Sequence, residues 1–368
     1  LAVWAVALLV VSMQPPTSTT DPLMDLKVAA AQHMLASMEQ LVAIHGLQVD
    51  PTIDRNRTGM IGPEYTALTT TLGPVEVKRT TTNPDFAALA VQLLWDAGVR
   101  SGDIIALGAS GSFPALALAV HSAAEVLAVD VLSIASLGAS TYGATDPMWT
   151  WLDMERTLVE AGMFSNASIA ASEGGDMDHL YNPLFPEASR MAKQAAMRNE
   201  IAIIDEPTFA QSVDARMDLY ITSARDRKLA AFVNIGGAEV NLGTGDAGYS
   251  LPAGIVQSVP SITADAQGIV SKMAAKGIAI INLLNVKDLC LRYGIAFDPV
   301  PLPEPGSSTL YVVEQLQWAH PILFALLLAA TALFVVWDRR HNVSASENQQ
   351  SRHSGNVSGP STGLKALM

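Results

Sequence analysis

From residue 83 onward the chain alternates short apolar runs, glycine–serine turns and helix-compatible stretches, and few folds accept that order. Asn83-Pro84 reads as a helix cap followed by proline at the first helical position, and residues 86–97 continue as a helix that Gly98 closes. Asp103–Leu107 is a buried strand, Gly108–Ser112 a turn, and Pro114–Leu127 a helix. Val129–Ala135 is the next strand and runs into the loop Ser136–Ser140. Further strands are expected at Glu200–Ile204, Leu229–Ile235 and Gly277–Ile281, with helices at Thr208–Arg225 and Asp265–Lys276. This succession predicts an α/β fold with a doubly wound, mostly parallel sheet. Ligands of such sheets sit at the carboxyl ends of the strands. Upstream, residues 24–46 place apolar side chains at helical spacing and read as an amphipathic stalk or packing helix.

Composition sets the surroundings of this domain. The 368 residues are 49% apolar and only 15% charged, well under the roughly 25% charge of ordinary soluble domains. Part of the apolar excess lies at the ends. Leu1–Met13 carries no charge, and Trp318–Trp337 is a tryptophan-bounded apolar segment followed by Asp338-Arg339-Arg340. The expectation is two transmembrane helices, one within 1–21 and one at 318–337. A signal-peptide core is the rival reading of the first. Two spans make residues 22–317 a single extracytoplasmic domain, residues 338–368 a cytoplasmic disordered tail, and the lipid bilayer a partner. One cysteine, Cys290, excludes a disulfide scaffold. A net charge of −13 argues against non-specific nucleic-acid binding.

Five loops carry residues fit for chemistry. The turn GASGSFP (Gly108–Pro114) lets a ligand approach the backbone and opens a helix whose first amides suit an anion. Gly108, Ser110, Gly111 and Ser112 are therefore candidate binding residues. Ser110 is also a candidate nucleophile, although Ser112 stands where a G-x-S-x-G elbow has its last glycine. A histidine to assist Ser110 is open between His121 and His179. The second group is basic. Arg55, Arg57, Lys78 and Arg79 lie close together in a domain with 18 basic and 32 acidic residues. With Thr80 and Asn83 they offer donors to a carboxylate, or else form a solvated loop with internal ion pairs. The third group, Asp146, Asp153 and Glu155 beside Trp149 and Trp151, supplies a candidate acid or base, with Asp146 also a candidate helix cap. The fourth, Gly174–His179, is a polar turn rather than a cation site, and no metal is expected. The fifth is the strand end Asn234, Gly236, Gly237. No phosphate-loop or dinucleotide fingerprint is present, so no cofactor is expected.

Taken together, Asp54–Gly59 with Ile61–Tyr65, Thr69–Gly73, Lys78–Pro84, Gly108–Pro114, Ser136–Ser140, Trp151–Glu155 and Phe232–Gly237 resemble the poly-γ-glutamate system protein family of bacterial poly-γ-glutamate biosynthesis loci. The resemblance covers most of residues 22–300, and its runs at 54–65 and 78–84 are the specific ones. It implies a part in making, exporting or trimming a γ-linked glutamate polymer. The implied partners are the polymer or its end and the membrane subunits of the synthase. Three functions follow from it: binding the anionic polymer, an amide hydrolase or transferase acting on γ-glutamyl bonds through a serine, or a scaffold of the synthase complex.

Overall fold

The computed structural model describes residues 17–45, 49–246, 248–260, 263–315, 325–337 and 339. The described residues between Thr20 and Val313 form one compact unit. The strands are β1 (Thr17–Thr20), β2 (Thr69–Thr71), β3 (Ile104–Ser110), β4 (Asp130–Ser136), β5 (Ala139–Ser140), β6 (Ala170–Ser172), β7 (Ile203–Ile204), β8 (Leu229–Ile235), β9 (Gly254–Val256), β10 (Ala279–Leu283) and β11 (Val312–Gln315). The helices are α1 (Met24–His45), α2 (Val75–Thr81), α3 (Asp85–Asp96), α4 (Pro114–Leu127), α5 (Trp151–Glu160), α6 (Ala188–Arg198), α7 (Phe209–Ala224), α8 (Glu239–Leu242), α9 (Ile269–Ala275) and α10 (Val286–Tyr293).

The main sheet runs β7-β6-β4-β3-β8-β10-β9. Every neighbouring pair in it is parallel except β10 with β9. All seven residues of β3 are buried, because helices cover both faces of the sheet. Ile105, Leu107 and Ala109 join the apolar layer shared with α1, α3 and α4. Ile104 and Ala106 point the other way, into the layer shared with α7 and α9. Successive side chains of a strand alternate between faces, so one apolar run feeds two cores.

The mixed α/β architecture and parallel-dominated sheet agree with the expectation. Asn83 caps α3 as anticipated, its side-chain oxygen accepting the Asp85 amide at 3.0 Å. The segment at 24–46 is a packing helix, with Ala30, Met34, Met38 and Leu41 buried in the core. Helix α9 is shorter than the expected 265–276, because Ala264–Ala266 forms a separate 3₁₀ turn.

The two transmembrane helices require correction. Among the described residues no helix is long and apolar enough to cross a membrane. Within the second expected span the described helix covers 325–337, and residues 318–324 lie outside the described residues. Of the first, residues 1–16 lie outside the described residues, and Thr17–Thr20 is a strand. Of the expected tail 338–368, all but residue 339 also lies outside them.

A clamp joins distant segments of the chain. The Asp298 carboxylate receives Arg79 Nε at 2.8 Å and a terminal Arg79 nitrogen at 2.7 Å, and Arg55 donates to it as well. Thr80 Oγ1 takes the Asp298 amide at 2.9 Å, and Asn56 donates to the Pro299 carbonyl at 2.8 Å. Burial opposes the charge on Asp298, but the two arginines outweigh it and hold its carboxyl below the usual range. A depressed carboxyl pKa adds stability above the unfolded value, about 3.9, and loses it as pH falls through the folded one. Asp298→Asn is therefore expected to cost about 1–3 kcal/mol at pH 7. Denaturant titrations at pH 7 and pH 3 check this, the gap between variant and parent narrowing in acid.

Candidate functional site

The strand order places a crevice at one point of the sheet. From β3 the chain moves outward through β4, β6 and β7, then returns to add β8 on the other side of β3. The loops after β3 and β8 leave in opposite directions, and the carboxyl ends between them stay uncovered. A cleft of about 540 Å³ opens there, within the range of small-molecule sites. Ser110 ends β3, with Ser112 and Phe113 following it; Ser136 ends β4, with Gly138 and then Ser140 of β5 following; and Gly237 and Glu239 lie just after β8. Thr70–Gly73 and Lys78 form the opposite wall, and Asp176 and Tyr249 stand at the side.

Short-range geometry fixes these loops. Ser110, Ser136 and Ser172 lie in register on β3, β4 and β6, making one row of hydroxyls at the carboxyl edge. The Gly111 amide donates to the Ser136 carbonyl at 2.8 Å, and the Ser140 amide to Ser112 Oγ at 3.0 Å. Strand β5 pairs in parallel with β2, so the loop after β4 is stitched to the 69–73 wall. Gly236 has φ +72°, and a Cβ there would come within 3.0 Å of the Ser110 Cβ, so glycine alone lets the β8 loop close on the β3 loop.

Lys78 is the cation of the cleft. It extends from α2, is 3% exposed, and donates to the Ser112 carbonyl and to Ser140 Oγ, the latter at 2.5 Å. Its nitrogen also lies 4.0 Å from the Phe113 ring centroid. No carboxylate compensates it among the described residues, and burial pulls its amine down to about 7. The other charged lining residues, Asp176 and Glu239, are acidic. Glu239 also accepts the Met177 amide at 2.9 Å.

The remaining candidates from sequence fall into three groups. Gly108, Ser110, Gly111, Ser112, Gly236 and Gly237 build or line the cleft. Arg55, Arg79, Thr80 and Asn83 serve the Asp298 clamp and the α3 cap, and Arg57 is exposed and outside the cleft lining. Asn234 is buried beneath the loops, donating to the Gly236 carbonyl at 3.0 Å and to Asn282 at 2.9 Å. The three acids lie elsewhere. Asp146 closes a turn by accepting the Met148 amide, whereas Thr150 caps α5 in a capping box with Asp153. Asp153 also pairs with Arg198. Glu155 is buried against Ser168 and 3.5 Å from His121, with its carboxyl pushed up to about 7 and the imidazole down to about 3 by burial. His121 stacks on Phe164, and among the described residues no histidine lines the cleft with Ser110. Asp178 is tied to buried Arg216 at 3.0 Å.

Ser140, the 70–73 wall, Glu239 and Tyr249 were not singled out by residue type, and Asp176 only as part of the polar turn Gly174–His179. Their signal lay only in position, after a strand or in a threonine–glycine run. Comparison of the chain with protein-family models, curated proteins and solved structures finds no match.

The buried amine makes a stability prediction. With a folded pKa of about 7 against about 10.4 unfolded, the unfolded chain binds the extra proton between those values, so stability rises with pH across that window. Lys78→Met is expected to melt a few degrees above the parent at pH 6–7, and the difference should vanish near pH 10. Thermal melts across that range measure it.

Proposed function

We propose that the protein serves a poly-γ-glutamate system by holding the amino end of a γ-glutamyl chain in the cleft at the carboxyl edge of its sheet. One observation carries the reading. Five of the segments that resemble that family, at 69–73, 78–84, 108–114, 136–140 and 232–237, send residues to this cleft. The runs at 54–65 and 78–84 also frame it through the Asp298 clamp.

The charge pattern favours an end over the middle of the polymer. With two carboxylates against one half-neutral lysine the cleft is net negative, which disfavours a run of glutamates. A chain end adds an α-ammonium, which Asp176 and Glu239 attract. The hydroxyl of Ser110 and the first turn of α4 suit the adjacent carboxylate. Arginines do not supply the attraction, because Arg55 and Arg79 are directed to Asp298 and neither lines the cleft.

Calorimetric titration of the full chain with a short oligo-γ-glutamate tests this. The free-amine oligomer is expected to bind in a salt-sensitive way. N-acetylation of the oligomer, or Asp176→Asn with Glu239→Gln, should weaken binding at least about tenfold, a loss of about 1.4 kcal/mol. Absence of binding at low ionic strength, or equal binding of the acetylated oligomer, removes the reading.

A further inference from the structure

Ser140 and Lys78 meet in a way that simple anchoring of a ligand does not require. The hydroxyl and the amine are 2.5 Å apart, and both line the cleft. The Ser140 amide is fixed by Ser112 Oγ, and its carbonyl accepts the Gly143 amide at 3.0 Å, so the hydroxyl is carried on a held backbone. The Lys78 nitrogen is steadied on its other side by the Ser112 carbonyl and the Phe113 ring. Facing them, Gly73 has no side chain, and a Cβ there would stand 3.2 Å from Ser140 Oγ and 3.4 Å from Lys78 Cε. A glycine at this point keeps the space in front of the pair open.

We infer that Ser140 and Lys78 are a nucleophile and general base for acyl transfer, acting on a carbonyl held in the cleft. The nature of that carbonyl, a γ-glutamyl amide, rests on the function proposed above, whereas the pair itself does not.

The protonation state supports the roles. A charged ammonium donates to both the Ser112 carbonyl and Ser140. Once neutral, the nitrogen still donates to the carbonyl and turns its lone pair to the Ser140 O–H. Burial without a carboxylate partner brings the amine to about 7, so about half of it is in the basic form at neutral pH.

The chemistry then balances. Lys78 takes the hydroxyl proton as Ser140 Oγ bonds to the amide carbon, giving a tetrahedral oxyanion. The C–N bond breaks and the Lys78 ammonium passes its proton to the leaving amine, which leaves an ester on Ser140. Water, or the amine of a second chain, attacks the ester with Lys78 again as base. The C–O bond to Ser140 breaks, and the proton returns to Oγ. The Ser112 hydroxyl, whose oxygen receives the Ser140 amide, keeps its own proton to donate to the oxyanion.

A fluorophosphonate probe on the full chain tests the pair without assuming the substrate. Attack forms an Oγ–P bond and expels fluoride, and intact-mass and peptide mass spectrometry find the adduct. One adduct at Ser140 is expected, with a labelling rate that rises with pH about a midpoint near 7. Ser140→Ala should abolish it, and Lys78→Met should slow it on the order of 10²–10⁴-fold. Were Ser140→Ala to melt early, Ser140→Cys is read instead by iodoacetamide at position 140, with the same pH midpoint expected. No adduct on the parent, an adduct at another serine, or labelling indifferent to Lys78→Met overturns the inference. Binding of oligo-γ-glutamate is measured on the same samples. Binding without labelling leaves only the holding function, and labelling at Ser140 without binding keeps the pair and dismisses the γ-glutamyl substrate.

Discussion

The position of β3 is the constraint on which the site depends. It is buried on both faces, and the chain leaves it in two directions, to β4 on one side and eventually to β8 on the other. Right-handed crossovers then put the following helices on opposite faces of the sheet, so nothing covers the carboxyl ends at the junction. Everything chemically notable in the cleft follows from that vacancy in the helical cover. The hydroxyl row Ser110–Ser136–Ser172 exists because parallel strands end in register there.

The second determinant is a single uncompensated charge. A protein interior accepts an amine only with partners, and Lys78 is given two oxygens and an aromatic face but no anion. The contrast with Arg216 is instructive. That guanidinium is wholly buried too, but Asp178 lies 3.0 Å away, and the pair bridges Ser136 and Ser172 as a fixed strut. Burial with a counter-charge produces structure, and burial without one produces a group able to change its proton near neutral pH.

How far the chain could be read in advance follows from the range of the interactions. Strands β3, β4 and β8 were legible because each is an apolar run bounded by glycine, and the cap at Asn83 because it acts two residues away. Strands β6 and β7 were missed or overextended, since three- and two-residue strands leave no period to detect. The apolar stretch before Trp337 reads as a span by hydropathy, and among the described residues no helix is long and apolar enough to be one. At the site, the glycine loops announced the cleft, but the basic cluster did not announce Asp298, some 220 residues along the chain. Ser140 was similarly silent, because what distinguishes it is a lysine brought near by folding.

The Asp298 clamp has a consequence for how the protein is made. The wall that carries Lys78 is fastened through its neighbour Arg79 to a residue near the end of the folded unit. A ribosome adding about 5–20 residues per second takes on the order of 10–40 s to travel from one to the other. During that interval β3 and β4 are already available to pair, while α2 lacks its fastening. The cleft is thus among the last parts of the unit to take shape, and a nascent chain cut short before Asp298 carries the sheet without a finished site.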